Sequence, residues 1–332
     1  MDTRIAPQEI DGLKRISFIS SDDTRIAGFV VPAKLDGGKK AKGIVQICHG
    51  MAEYFCRYDE MIKELNEAGY HVCGMDMPGH GETYEANKDS GAKLGFLGES
   101  RDTWQVLLED VATMGRLGRE HLLKNCAEED RDIPMYLYGH SMGSFIARCI
   151  YSDIRYSVNY DGFIFSATAG KIVIIDFGIF LANTASLFGN KRTPGKLVGK
   201  IAFGAYHRRI DNPKTEFDWT TSDELKTKEY VADPWGAFLF TNAGFRDMFK
   251  LMRRMQSKAC FDDICSKRVL ITYGLEDPVG DYGKGPHDLA KKLRERAVDV
   301  TEIEYPEARH ELQHEKCRKK YFADVISWLN KK

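Results

Sequence analysis

The residues best suited to chemistry lie in Gly139-His140-Ser141-Met142-Gly143, which has the pattern Gly-x-Ser-x-Gly. A strand-like run, Met135 to Tyr138, precedes it, and helical spacing begins near Met142. A serine on a strand-to-helix turn this sharp needs glycines beside it, because larger side chains would clash. The turn exposes Oγ at a helix N-terminus, where backbone N–H groups face developing negative charge. The plainer reading is a glycine-rich turn with a helix-capping serine.

A serine hydroxyl is a poor nucleophile without an adjacent base. On such a scaffold the chain order is Ser, then acid, then His. Asp277 stands in Gly274-Leu275-Glu276-Asp277-Pro278, just past the strand-like run Val269 to Tyr273. His310 stands in Glu307-Ala308-Arg309-His310-Glu311, just past Val300 to Tyr305. Both the order and the strand-end placement fit. Glu276 is the rival acid, and Asp277 also reads as a turn residue before proline. Acyl transfer further needs N–H donors for a tetrahedral oxyanion. Met142, after the serine, offers one; Met51, after the run ending at Cys48, offers the second.

His310-Glu311-Leu312-Gln313-His314 is literally the His-Glu-x-x-His of zinc proteases. A catalytic zinc needs a third protein ligand. The position where one such family carries it holds Lys320, and only Glu315 and Asp324 offer carboxylates beyond His314. No metal and no cofactor are expected. His314 reads as a solvated residue in the first turn of the last helix.

The elements that must position these residues alternate. Arg15 to Ile19 and Arg25 to Val31 read as a hairpin, and Gly43 to Cys48 as a short strand. Tyr58 to Ala68 has helical spacing and ends at Gly69. His71 to Met75 is the next strand, and Trp104 to Leu123 a long helix. Asp161 to Ala167 is another strand. From Thr168 to Ala243 the alternation stops. It resumes with Val269 to Tyr273, a helix from His287 to Ala297, Val300 to Tyr305 and a closing helix from about Glu315 to Leu329. Strands alternating with helices predict an α/β fold with a mostly parallel sheet covered on both faces. The irregular middle is then an insertion.

Composition excludes several classes. Hydrophobic residues make up 43 % and charged residues 29 %, with a formal net charge of −1. A nucleic-acid partner would call for a strongly basic face. No apolar run reaches the ~18 residues of a spanning helix. The start, Met1 to Ile5, has no apolar stretch behind its charges, so no secretory leader is expected. The eight cysteines are scattered without a Cys-x-x-Cys pair, and Cys48, Cys73 and Cys149 read as core. Reduced thiols in a cytoplasmic protein are expected.

His49-Gly50-Met51-Ala52-Glu53-Tyr54-Phe55-Cys56-Arg57-Tyr58, then Asp76-Met77-Pro78-Gly79-His80-Gly81, then the serine motif, the Asp277-Pro278 loop and His310, follow one another in that order. Over roughly Phe29 to Leu329 the chain resembles the monoacylglycerol lipase and lysophospholipase group of α/β-hydrolases, the serine aminopeptidase-like hydrolases. The resemblance implies the α/β-hydrolase fold with a lid, or cap, inserted after the strand that follows the serine helix. It carries Ser141, Asp277 and His310 as triad, with Met51 and Met142 as oxyanion donors. It divides the chain into residues 1–167 as the first part of the core, 168–243 as the lid and 244–332 as the second part. Where the family pattern usually reads Glu-His, this chain has Glu53-Tyr54. Glu53 and Arg57 are candidate substrate contacts, with bracing of the loop as the alternative.

Within the expected lid, Ile172 to Leu181 is apolar nearly all round. Such a helix is buried or faces something greasy. Ile175, Ile179 and Phe180 are therefore candidates for lining an acyl tunnel. Lys191, Arg192 and Lys196 nearby suit transient contact with a membrane surface. The expected substrate is a small acyl ester or monoacyl lipid. A short-chain esterase, thioesterase or peptidase would use the same triad. A non-catalytic binding protein on this fold would have lost a triad member, and none is lost.

Overall fold

The computed structural model describes residues 9–35, 40–100, 102–188 and 190–331. Residues 1–8, on which the expectation about a leader rests, lie outside them. The strands are β1 (Lys14–Ile19), β2 (Arg25–Val31), β3 (Gly43–Cys48), β4 (Tyr70–Met75), β5 (Met135–His140), β6 (Gly162–Ser166), β7 (Arg268–Gly274) and β8 (Val300–Tyr305). They form one eight-stranded sheet in the order β1-β2-β4-β3-β5-β6-β7-β8. β1 and β2 are the antiparallel hairpin, and β2 is antiparallel to β4. From β4 to β8 every pairing is parallel.

The sequence explains this division. Every residue of β3, β4, β5 and β6 is buried. Continuous burial is what a parallel strand covered on both faces needs. Helices Asp59–Glu67 and Arg318–Asn330 cover one face through Met61, Ile62, Tyr321 and Val325. Helices Thr103–Leu123, Met142–Tyr151 and Lys284–Arg294 cover the other through Val111, Ile146 and Leu289. The chain is of the α/β-hydrolase class. All eight cysteines are free thiols, Cys48, Cys73 and Cys149 among the buried ones. Among the described residues, no helix is long and apolar enough to cross a membrane.

Between β6 and β7 the described residues hold no sheet strand, only an isolated bridge from Pro194 to Thr241. Helices Ile175–Phe188, Lys196–Phe203, Glu224–Ala232 and Asn242–Met255 fill the interval. The last is capped by Thr241, whose Oγ accepts the Gly244 N–H at 3.0 Å. It packs against both Met142–Tyr151 and Ile175–Phe188. It runs unbroken through residue 243, so the expected lid boundary falls inside a helix. Helix Ile175–Phe188 reaches it at a glycine: a Cβ on Gly178 would lie 3.2 Å from the Phe249 ring.

Phe249 is buried at that crossing. Phe249→Ala should lower unfolding free energy by about 3–5 kcal/mol, the usual cost of deleting a buried aromatic ring. Urea unfolding measures it; a loss below about 1 kcal/mol would mean that the two helices do not depend on this contact.

Candidate active site

The C-terminal ends of the parallel strands set the site. β5 pairs with β3 on one side and β6 on the other, so ligand-binding loops gather where the strand order reverses. β5 ends at His140, and Ser141 follows with φ 50° and ψ −118°. That left-handed backbone is costly for a residue with a Cβ, by about 1–3 kcal/mol. The neighbours make it attainable. A Cβ on Gly143 would sit 2.0 Å from the Cys48 carbonyl oxygen, and one on Gly139 would sit 2.4 Å from the Gly143 carbonyl oxygen. The turn is pinned by Ser141 N–H donating to Ser166 O at 3.0 Å.

Asp277, past β7, and His310, past β8, reach this turn. His310 Nε2 stands 2.8 Å from Ser141 Oγ, and Nδ1 stands 2.9 Å from Asp277 Oδ2. The carboxylate can only accept, so Nδ1 carries the proton and Nε2 is free to accept from the hydroxyl. Asp277 is fully buried and also accepts the Val279 N–H at 2.8 Å. Glu276, the rival acid, is half exposed and lies 3.8 Å from Arg309 Nε. Trp219, from the interval between β6 and β7, covers the imidazole with ring centroids 5.2 Å apart.

Met51 and Met142 both line the cavity above Ser141. Two buried histidines shape the loop that carries Met51. His49 Nε2 accepts the Met77 N–H at 2.9 Å, and His80 Nε2 accepts the Ala52 N–H at 3.3 Å. Each then donates from Nδ1 to a carbonyl, Gly50 O and Pro78 O respectively. Both are neutral: burial pushes His49 down to about 4, and burial with His49 beside it pushes His80 down to about 3. Sequence reasoning quoted these histidines within motifs and gave them no role.

Glu53 and Arg57, expected as candidate substrate contacts, do not line the cavity. Glu53 Oε1 accepts Gly50 N–H, Tyr58 O–H at 2.7 Å and His140 Nδ1 at 2.8 Å. Burial would raise its pKa, but His140 and Arg57 outweigh burial and hold it well below the usual carboxylate range. Arg57 Nη2 donates to Glu311 at 3.1 Å, and its guanidinium lies 4.3 Å from the Tyr230 ring centroid. Both turn inward, away from the cavity, and face each other with Arg57 Nε 3.9 Å from Glu53 Oε2, two buried atoms that have no hydrogen-bond partner.

The cavity has a volume of about 890 Å³ and rests on Ser141 and His310. Ile175, Leu181, Val198, Phe249 and Met252 are among its apolar walls. Of the tunnel candidates only Ile175 lines it. Ile179 is buried against the core, and Phe180 points to solvent at 65 % exposure. Ile175 and Ile179, four residues apart, share the inward face of the helix, of which only the first reaches the cavity, while Phe180 lies on the outer side.

The His-Glu-x-x-His segment is not an α-helix. Leu312–His314 is a single 3₁₀ turn, and the last helix starts only at Arg318. His310 is engaged by Asp277 and Ser141. His314 is buried rather than solvated, and its Nε2 has no partner. Among the described residues no group of three His, Cys, Asp or Glu is arranged to hold a metal. Ester hydrolysis should therefore survive dialysis against EDTA, and His310→Gln should abolish it. Zinc-restored activity after EDTA would reverse this reading.

The chain matches the family model described as serine aminopeptidase, S33, over residues 39–317. It is 26 % identical over 289 residues to a monoacylglycerol lipase of Mycolicibacterium smegmatis, covering 87 % of this chain and 88 % of that one. It is 24 % identical over 314 residues to a monoglyceride lipase of Saccharomyces cerevisiae, covering 89 % and 87 %. A carboxyl esterase of Bacillus coagulans, solved with glycerol, superposes with a TM-score of 0.81 at 26 % identity, covering 96 % and 98 %. The chain belongs to the serine aminopeptidase S33 family of α/β-hydrolases and is an ester hydrolase similar to monoacylglycerol lipases.

Proposed function

We propose that the chain hydrolyses carboxylic esters of monoacyl lipids, monoacylglycerol or lysophospholipid, through an acyl-enzyme on Ser141. The observation that carries this is the continuous relay Asp277–His310–Ser141, at 2.9 and 2.8 Å, on the floor of a large apolar cavity. His310 Nε2 takes the Ser141 proton as Oγ attacks the ester carbonyl. The N–H groups of Met51 and Met142 receive the oxyanion. His310 then gives its proton to the departing alcohol. Water then attacks the acyl carbon as His310 takes its proton; the acyl–Oγ bond breaks, Oγ takes that proton back from His310, and the acid is released. Asp277 accepts the hydrogen bond from Nδ1 and so holds the imidazole in the tautomer that accepts from serine.

The apolar walls support a long acyl chain over a short-chain ester, a thioester or a peptide. The named relatives support the same substrate class. A non-catalytic binding role would leave the aligned Ser141–His310 hydrogen bond without purpose. Residues 168–243 act as the lid in this reading. Its outer face exposes Val173, Phe177, Phe180, Leu187 and Phe188, with Lys171 and Lys196 near the cavity mouth. Exposed apolar side chains among lysines suit transient contact with an anionic lipid surface.

Ser141→Ala should lower kcat by at least roughly 10⁴-fold and abolish labelling by a fluorophosphonate probe. Labelling that persists in this variant would assign the nucleophile elsewhere.

If the cavity takes the acyl chain, each added methylene should raise kcat/KM up to about fourfold, from ~0.8 kcal/mol of burial per methylene. Leu181→Trp should narrow the cavity, cutting hydrolysis of p-nitrophenyl decanoate while sparing the acetate. A wild-type preference for acetate would make the protein a short-chain esterase.

A further inference from the structure

His140, between Gly139 and Ser141, is 1 % exposed and has both ring nitrogens engaged. Nδ1 stands 2.8 Å from Glu53 Oε1, and Nε2 stands 3.3 Å from the main-chain carbonyl of His310. Both partners are acceptors. A carbonyl oxygen has no proton to give. Glu53 Oε1 is an acceptor here, since it already takes Gly50 N–H and Tyr58 O–H, and His140 and Arg57 hold the carboxyl well below the usual carboxylate range. Each ring nitrogen must therefore donate, which makes His140 an imidazolium. Burial alone would lower its pKa, but the Glu53 carboxylate outweighs burial and raises it.

Taking the Ser141–His310–Asp277 reading as its basis, we propose that His140 is a positioning residue of the reaction: as a doubly donating imidazolium it ties the oxyanion loop, through Glu53, and the backbone of the base, through the His310 carbonyl, to the residue next to the nucleophile. Three loops follow three different strands, and His140 touches two of them from the third. Its ring also faces that of His310 with centroids 5.0 Å apart. A neutral His140 would point a bare lone pair at an oxygen and release one of the two loops. A misplacement of about 1 Å in such an assembly costs on the order of 10²-fold in rate.

The groups facing His140 are Glu53 and His49 from the oxyanion loop, Tyr58 and Arg57 from the turn after it, and His310, Glu311 and His314 from the base loop. Glu53 is the one that bonds the ring directly as an anion.

The test compares the full-length wild type with His140→Gln and His140→Asn on p-nitrophenyl butyrate, with thermal melts and fluorophosphonate labelling of each. A glutamine amide reaches where Nε2 stands and can donate to the His310 carbonyl. An asparagine reaches only where Nδ1 stands and keeps only the Glu53 contact. The Asn variant should lose about 10²-fold in kcat with KM changed less than about twofold, and the Gln variant should recover to within about tenfold of wild type. Wild-type kcat should fall on the alkaline side, above the ordinary histidine range, and that fall should be absent in the Gln variant, whose amide does not titrate. Unchanged kcat in both variants, equal losses that follow the melting temperatures, or an alkaline limb identical in wild type and Gln variant would each overturn the role. If the Asn variant does not fold, Glu53→Gln replaces it: removing the counter-charge should move the alkaline limb to lower pH, and an unmoved limb overturns the proposal. Absence of fluorophosphonate labelling in the wild type would overturn the triad reading itself, and this proposal with it.

Discussion

The left-handed backbone at Ser141 is the constraint from which the rest of the site follows. With φ at 50°, the residue leaves β5 at an angle that turns its side chain out of the sheet and its carbonyl into the following helix. That geometry leaves no room for side chains at two neighbouring positions. Gly143 lies so close to the Cys48 carbonyl that the β3 loop and the serine helix share one van der Waals boundary. The loop carrying Met51 and the helix starting at Met142 are thereby brought together without a side chain between them. One strained residue, and two glycines that permit it, set where Ser141 Oγ stands relative to the loop carrying Met51.

Polar groups beneath the site are arranged by charge state. His49 and His80 are buried beside backbone N–H donors, and a neutral ring can accept these where an imidazolium cannot. His140 is buried to the same degree but faces two acceptors, which selects the charged form. Burial is similar at all three positions. The partner decides, because desolvation opposes charge everywhere and only at His140 does Glu53 bond the ring directly, with Glu311 and the His310 carbonyl adding to it. The ion pair of His140 with Glu53 is costly to break, since a lone charge at this depth has no water to stabilise it. A variant at either residue therefore tests structure and rate together.

Much of the core was legible in the sequence, because its strands are short, apolar and bounded by turns. β3, β5 and β7 could be found from Gly43, Met135 and Val269 onward by that signal alone, and the loops after them pointed to Met51, Ser141 and Asp277. Side-chain destinations were less legible. Glu53 and Arg57 are polar residues in a loop near the serine, and nothing in the sequence says whether they face a cavity or each other. The structure turns both inward, where Glu53 meets Tyr58 and His140 and Arg57 meets Glu311. His314 shows the opposite miss. Expected in solvent in the first turn of the last helix, it is carried into the interior by a 3₁₀ turn rather than a helix.

The helix Ile175–Phe188 marks where pattern reasoning ends and why. Amphipathic spacing locates a buried face only when the other face is polar. Here the sequence is apolar nearly all round, so periodicity carries no direction. The structure distributes the same residue type among three environments. Ile179 packs on the core, Ile175 lines the cavity and Phe180 meets solvent. An exposed phenylalanine costs solubility unless something apolar covers it part of the time. A wall of the cavity and an exposed apolar surface thus belong to one helix. Gly178 and Phe249 fix how closely this helix approaches helix Asn242–Met255, which in turn packs on the serine helix.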